Sequence, residues 1–137
     1  MTVVDASVWV AALVARDVHH TLTRDWLYAQ LAAHATLAVP ALALPEVAGA
    51  ITRRTGSGEI GRSATEWMLH ITSLRIVGLD ADLAQDAVTI ACRSSLRGAD
   101  AVYVALAQRL NVALATLDEE LHTRATTGVF VVRPTVI

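Results

Sequence analysis

Hydrophobic residues fall into short apolar blocks, separated by longer stretches in which they recur at helical spacing. The blocks predict strands at residues 3–4, 36–40, 74–78, 111–115 and 129–132. The helical stretches predict helices at residues 8–13, 21–34, 45–54, 63–72, 82–93 and 101–110. Strands and helices alternate without hairpin signals, so the pattern predicts an α/β, doubly wound fold with a parallel sheet covered on both faces.

Size and hydrophobicity narrow the class of protein. The chain has 137 residues, of which 54% are hydrophobic, which fits one folded domain over residues 1–137. Polar residues or proline interrupt every apolar stretch before it reaches the roughly 18 residues that suggest a membrane span. The amino terminus begins with strand-like residues and has no basic region followed by a long apolar core. We therefore expect a cytoplasmic protein without a membrane span.

The charged residues exclude some functions. The formal net charge is -2, and all eleven basic residues are arginine. No overall basic field would attract nucleic acid, so affinity for RNA has to come from local arginine clusters or a bound metal. The lack of lysine excludes a phosphate-accepting receiver domain, which needs one. The single cysteine, Cys92, lies in an apolar helical stretch and is predicted to behave as a small buried hydrophobe.

Four acidic residues stand where predicted elements begin or end. Asp5 directly follows the first strand, and Asp118 follows the strand at 111–115 after two intervening residues. Asp100 precedes the helix at 101–110, and Glu46 lies in the first turn of the helix that Pro45 begins. Ligands of open parallel sheets bind beyond the carboxyl ends of the strands, so acids placed at that edge are candidate functional residues.

Taken one at a time, each of these acids is better interpreted as a helix cap, because carboxylates accept hydrogen bonds from free N–H groups at helix starts. Asp118 is the best case against capping. Thr116 with Glu119 already forms a capping-box pattern, which would leave the Asp118 carboxylate free. Ser7 could likewise cap the first helix in place of Asp5.

Together, the acids favour a metal site. If Asp5 and Asp118 stand on neighbouring strands, their carboxylates repel one another unless a cation or a proton intervenes. Mg²⁺ prefers oxygen ligands and keeps several waters, so a few carboxylates and a substrate phosphate suffice. A zinc site is not indicated, since the chain has no cysteine set, no HExxH motif and no close group of histidines.

Four segments then resemble the PIN-domain VapC toxins. They are residues 3–8 (VVDASV), 44–47 (LPEV), 99–107 (ADAVYVALA) and 114–121 (LATLDEEL). The resemblance implies a three-layer α/β/α fold with strand order 3-2-1-4-5 and a metal-dependent endoribonuclease that uses Mg²⁺ or Mn²⁺. It also implies a homodimer that a VapB-like antitoxin sequesters, and a role as the toxin of a type II toxin–antitoxin pair.

The resemblance also assigns roles to individual residues. It makes Asp5 and Asp100 the main metal ligands and Asp118 a further ligand, direct or through water. Glu46 would orient the water that attacks the RNA phosphodiester bond. Ser7 and Thr116 would not bind the metal themselves but would hold its ligands in position. With lysine absent, backbone phosphates would be bound by arginine, and the candidates are Arg97, which lies three residues from Asp100, and Arg53, Arg54 and Arg62.

Three further interpretations compete with this one. Residues 56–61 match the dinucleotide pattern GxGxxG, but a helix precedes them where a strand is required, so they are predicted to form an interhelical turn. A PIN-fold module that binds without cutting is disfavoured, because four clustered acids cost stability without a metal. A PIN-fold DNA nuclease remains an alternative, since the same chemistry hydrolyses DNA.

The aromatic residues Trp9, Trp26, Trp67 and Tyr103 are assigned to the core or a dimer interface.

Overall fold

The computed structural model describes residues 1–125 and 128–135. Five strands occupy the positions expected from the apolar blocks: β1 (Thr2–Val4), β2 (Leu37–Pro40), β3 (Leu74–Val77), β4 (Ala113–Ala115) and β5 (Val131–Val132). The helices among the described residues are α1 (Ala6–Leu13), α2 (His20–Ala32), α3 (Ala43–Thr55), α4 (Gly58–Leu69), α5 (Ala81–Ser94), α6 (Gly98–Leu110) and α7 (Glu119–Arg124). None of the helices in these two segments is long and apolar enough to cross a membrane.

The five strands form one parallel sheet in the order β3-β2-β1-β4-β5, flanked by helices. Val3 of β1 aligns with Ala38 of β2 on one side and with Leu114 of β4 on the other. Both the α/β class and the strand order 3-2-1-4-5 are therefore confirmed. Since all strands run the same way, the residues that follow β1 and β4 lie side by side at one edge of the sheet.

The core is centred on β1 and α6. Val3 and Val4 are fully buried, and α6 is buried from Asp100 to Ala107 as it packs across β1, β2 and β4. Trp9 of α1 is also fully buried, with its ring edge-on to Trp67 at a centroid distance of 6.4 Å. Because α6 packs on the central strands, its amino-terminal turn is fixed relative to the edge where β1 and β4 end.

Two sequence predictions are wrong in detail. Helix α4 begins at Gly58, five residues before the predicted start, because the Ser57 side chain accepts a hydrogen bond from the N–H of Ile60 and caps it. The glycines at 56–61 are therefore not one open turn. Gly56, in the left-handed conformation, ends α3, and the later two glycines belong to α4. Cys92 is exposed rather than buried, since it lies on the outer face of α5.

Gly61 allows α3 and α4 to approach closely. A Cβ atom built at Gly61 would lie 2.7 Å from the carbonyl oxygen of Ala48 in α3, a distance that real Cβ atoms do not adopt. The contacting atom belongs to the backbone, so the helices themselves would have to move apart. Gly58, three residues earlier in the same helix, has open space at the corresponding position.

We expect Gly61→Ala to destabilise the protein by about 1–3 kcal/mol, the usual cost of inserting atoms into a packed contact. Chemical denaturation would measure the change in the free energy of unfolding. Gly58→Ala is the matched control, and its effect should stay within about 1 kcal/mol of zero. Equal effects of the two substitutions would show that the α3–α4 contact is not tightly packed.

Candidate active site

Asp5 lies between β1 and α1 and is only 5% exposed. One oxygen of its carboxylate, Oδ2, accepts hydrogen bonds from the hydroxyls of Ser7 at 2.6 Å and Thr116 at 2.7 Å. Thr116 directly follows β4, the neighbour of β1 in the sheet. Because β1 and β4 end side by side, residues that follow the two strands together fix the orientation of the Asp5 carboxylate inside the protein.

Asp100 and Asp118 reach the same edge from helix starts. Asp100 lies in the first turn of α6 and is 9% exposed, whereas Asp118 caps α7 and its side chain is 23% exposed. Arg97 joins them: its Nε donates to Asp100 Oδ2 at 3.2 Å and its Nη2 to Asp118 Oδ2 at 3.3 Å. One guanidinium group therefore compensates part of the charge of two carboxylates.

Glu46, in the first turn of α3, is held by Tyr103 of α6. The Tyr103 hydroxyl donates to Glu46 Oε1 at 2.7 Å, and the Tyr103 side chain is fully buried. The sequence assigned Tyr103 to the core, and the structure confirms its burial. The polar role of its hydroxyl was missed. The spacing of Asp100 and Tyr103, three residues apart and so on the same face of a helix, is the signal that could have found it.

The four acids interact electrostatically. Burial raises the pKa of Asp5, and the Asp118 carboxylate raises it further, against the opposing hydrogen bonds from Ser7 and Thr116. Burial likewise raises the pKa of Asp100 against the attraction of Arg97, with additional repulsion from Asp5 and Asp118. These acids are therefore poorly compensated by the protein itself, which is the situation that a cation relieves.

The acid on α3 shares in this repulsion. Burial raises the pKa of Glu46, and the charges of Asp5 and Asp100 raise it further, while the Tyr103 hydrogen bond acts in the opposite direction. The carboxylates of Asp100 and Asp118 also raise the pKa of the Arg97 guanidinium. All four predicted acids are thus brought to one edge of the sheet.

Two predictions about helix capping are wrong. The side chain of Asp118 itself caps α7 by accepting from the N–H of Glu120 at 2.8 Å, because Thr116 is bonded instead to Asp5 and to the N–H of Asp118. Asp118 still reaches Arg97 through its second oxygen. Ser7 is not the cap of α1, since it lies inside that helix and its hydroxyl is directed to Asp5.

The predicted arginines occupy different surroundings. Arg97 lies within the acidic group, and Arg54 forms a 2.5 Å ion pair with Asp17. Arg53 and Arg54 both line a cleft that reaches from Glu46 along α3, and Arg53 also lines a second groove, between α3 and α4, together with Arg62. The structure therefore keeps Arg53 close to Arg54 and Arg62 and places Arg97 apart from them, among the acids.

The oxygen donors fit a divalent cation of the Mg²⁺ type. In residues 1–125 and 128–135, no three or more Asp, Glu, His or Cys side chains are already close enough to hold an ion together. Mg²⁺ retains several waters and is bound through one or two carboxylates, so a preformed cage is not required. Asp5 and Asp100 are buried and short of compensating charge, which makes them the best-placed donors.

Comparison with known proteins places the chain among nucleases of one family. The model of the PIN domain matches residues 2–126. Ribonuclease VapC9 of Mycobacterium tuberculosis is 35% identical over 127 residues, which cover 88% of each chain.

Solved structures share the fold at lower identity. VapC20 of Mycobacterium tuberculosis, described as a toxin that cleaves the sarcin–ricin loop, superposes with a TM-score of 0.80 at 20% identity, over 95% of this chain and 99% of the other. VapBC2 of Rickettsia felis, bound to a DNA fragment from its promoter, gives a TM-score of 0.72 at 14% identity over 96% and 97% of the two chains. At this identity the two structures support the fold.

We expect Asp5→Asn to raise the melting temperature at pH 7 in the presence of chelator. Burial raises the pKa of Asp5, so its protonated form favours folding; that contribution is present below the unfolded pKa and is lost as the pH rises through the folded-state pKa. The gain should shrink as the pH falls toward about 4, where an unfolded Asp is half protonated. Thermal melts across this range would measure it. Asp82→Asn, an exposed change of equal charge, is the control, and a lower melting temperature for Asp5→Asn at pH 7 would contradict the prediction.

Tyr103→Phe should raise the pKa of Glu46, because the ring is kept while the hydrogen bond that opposes burial is removed. Carboxyl-carbon NMR would follow the titration of Glu46 directly. If Glu46 acts in its ionised form, the acidic limb of the plot of cleavage activity against pH should move to higher pH by the same amount as the pKa of Glu46. Tyr28→Phe, at an exposed site on α2, is the control, and an unchanged Glu46 midpoint in Tyr103→Phe would show that the hydroxyl has no such effect.

Proposed function

Because this chain belongs to the PIN-domain family, we propose that it is a divalent-metal-dependent endoribonuclease and the toxin of a type II toxin–antitoxin pair. The observation that carries the proposal is the buried Asp5 carboxylate, which shares one sheet edge with three further acids and a single compensating arginine. A protein gains nothing in stability from such a group. The four acids lie beyond the carboxyl ends of the strands, which is the edge of a parallel sheet where ligands bind.

We assign the metal to Asp5 and Asp100, with Asp118 as a further ligand, direct or through water, and the cofactor to Mg²⁺ or Mn²⁺. When bound, the ion supplies charge neutralisation at the scissile phosphate and a lowered pKa of water. Ser7 and Thr116 would keep Asp5 oriented for this ion by their hydrogen bonds to Oδ2.

Glu46 is the group that accepts a proton from water in this proposal. Burial raises the pKa of Glu46 toward neutral pH, which suits a general base. The hydrogen bond from Tyr103 keeps the carboxylate in one orientation. Arg97 forms ion pairs with both Asp100 and Asp118. Its side chain is 73% exposed, so a substrate phosphate can approach the guanidinium while it stays beside these acids.

We further propose that the chain works as one domain in the cytoplasm, forms a homodimer and is bound by a VapB-like antitoxin. The support for the antitoxin is the relationship to VapC ribonucleases and the fold shared with a VapBC protein. RNA is favoured over DNA as the substrate because the relative that is 35% identical is named a ribonuclease.

We expect Asp5→Asn and Asp100→Asn each to abolish RNA cleavage, with activity at least about 100-fold lower, the usual effect of removing a group that stabilises the transition state. Cleavage of labelled RNA by purified protein would be measured with a DNA strand of the same sequence alongside. Asp82→Asn should keep full activity. Chelation with EDTA should stop the wild type, and added Mg²⁺ or Mn²⁺ should restore it.

Full activity of either folded variant, or of the wild type in chelator, would contradict the proposed chemistry, and cleavage of DNA alone would contradict RNA as the substrate.

The same variants test the proposed role as a toxin in the cell. Induced expression of the wild type should arrest growth, whereas Asp5→Asn should not. Sequencing of RNA ends after induction would identify the target.

A further inference from the structure

A cleft of about 550 Å³ extends from the acidic site along α3. Glu46, Ala50 and Arg53 line it, and their spacing of four and three residues places them on one face of the helix. Seven residues of α-helix rise about 10 Å, so Arg53 lies roughly two turns from Glu46. The cleft thus has an acidic end beside Ser7 and Glu46 and a cationic end beside Arg53.

The opposite wall at the cationic end is the turn between α1 and α2. Arg54 forms an ion pair with Asp17 of this turn, and the other oxygen of Asp17 accepts the N–H of His19 at 2.8 Å. Although burial opposes ionisation, the hydrogen bond from Arg54 lowers the pKa of Asp17. The turn is therefore fastened to the end of α3, and His19 is held at the edge of the cleft.

Arg53 is free to bind a ligand. Over residues 1–125 and 128–135 its exposed guanidinium forms no ion pair or hydrogen bond, in contrast to its neighbour Arg54. Its Nη1 would lie 3.3 Å from a Cβ on Gly49, so the side chain runs back along α3, between the cleft and the second groove that Gly49 and Arg62 line. An unpaired arginine binds phosphate oxygens in a bidentate manner.

We propose that the cleft carries the RNA strand away from the acidic site and that Arg53 binds a backbone phosphate other than the scissile one, with His19 as a further donor across the cleft. This inference rests on the proposed function and adds to it the path of the substrate. The other candidate arginines fit this position less well. Arg54 is paired with Asp17, and neither Arg97 nor Arg62 lines the cleft.

The groove on the other side of Glu46 is a poor route for a phosphate backbone. It is lined mainly by apolar residues, among them Leu42, Leu79, Val88 and Val102, and no arginine or histidine lines it. Phosphates are bound by arginine side chains and other donors, and of the two grooves that Glu46 lines, the cleft beside Arg53 is the one that supplies them.

The test measures RNA binding apart from cleavage. A fluorescent single-stranded RNA of mixed sequence is titrated against Asp5→Asn protein in Mg²⁺, with and without Arg53→Gln, at several salt concentrations. We expect Arg53→Gln to weaken binding several-fold and to lower the slope of log Kd against log salt by about 0.7, the value for one phosphate contact on a single strand. Arg53→Lys should keep the slope.

Arg75→Gln is the matched control, because Arg75 is exposed on the edge strand β3, makes no ion pair with the described residues and does not line the cleft. Thermal melts should show both variants folded as the parent. If Arg53→Gln matches Arg75→Gln in Kd and salt slope, the inference is overturned. Cleavage by the parent with Asp5 intact separates the two proposals: absence of RNA cleavage refutes the proposed function, whereas cleavage without any effect of Arg53 refutes only the path.

Discussion

The hydrogen bond between the Thr116 hydroxyl and the Asp5 carboxylate connects the ends of the two central strands, and the site depends on it. It requires β1 and β4 to be neighbours in register, which the parallel sheet provides. It also leaves Asp118 to cap its own helix, because Thr116 is already engaged. A carboxylate that is buried by this arrangement cannot be relaxed by a small side-chain movement. The repulsion among the acids is therefore built into the backbone of the fold rather than into a flexible loop.

The strands and the positions of the four acids at element ends were predicted well from local patterns, whereas the strand order came from the family resemblance. Alternating apolar blocks and helical periods determine an α/β sheet, and Asp5 directly follows a strand at its carboxyl end. The errors concern choices between competing partners. In a capping box the Thr116 hydroxyl would accept the N–H of Glu119, but it instead donates to Asp5 and accepts the N–H of Asp118. Cys92 lies in an apolar stretch, yet it faces outward on α5, because periodicity alone does not fix which face of a helix the neighbours cover.

The distant partners of Arg97 and Tyr103 could not have been predicted from local sequence patterns, for a different reason. Each contacts a partner that is distant in sequence: Asp118 is 21 residues from Arg97, and Glu46 is 57 residues from Tyr103. Both side chains project from α6 or its cap, the element that packs on β1, β2 and β4. The helix that fills the core thus also carries Asp100, with Arg97 as its counter-charge at the helix cap, and Tyr103, which holds Glu46. A change in the packing of α6 would alter all three, so stability and activity are coupled in this region.

The net charge of -2 says little about binding to nucleic acid, because the charges are segregated along α3. Glu46 at its start repels phosphate unless a cation is present, whereas Arg53 two turns later attracts it. An RNA strand bound at Arg53 would therefore bring its next phosphates toward the acids, which repel phosphate unless a divalent ion neutralises their charge. Arg97 lowers the repulsion among the acids, although its exposure makes that compensation weak. Substrate binding and metal binding should then favour one another, since each supplies charge that the other site lacks.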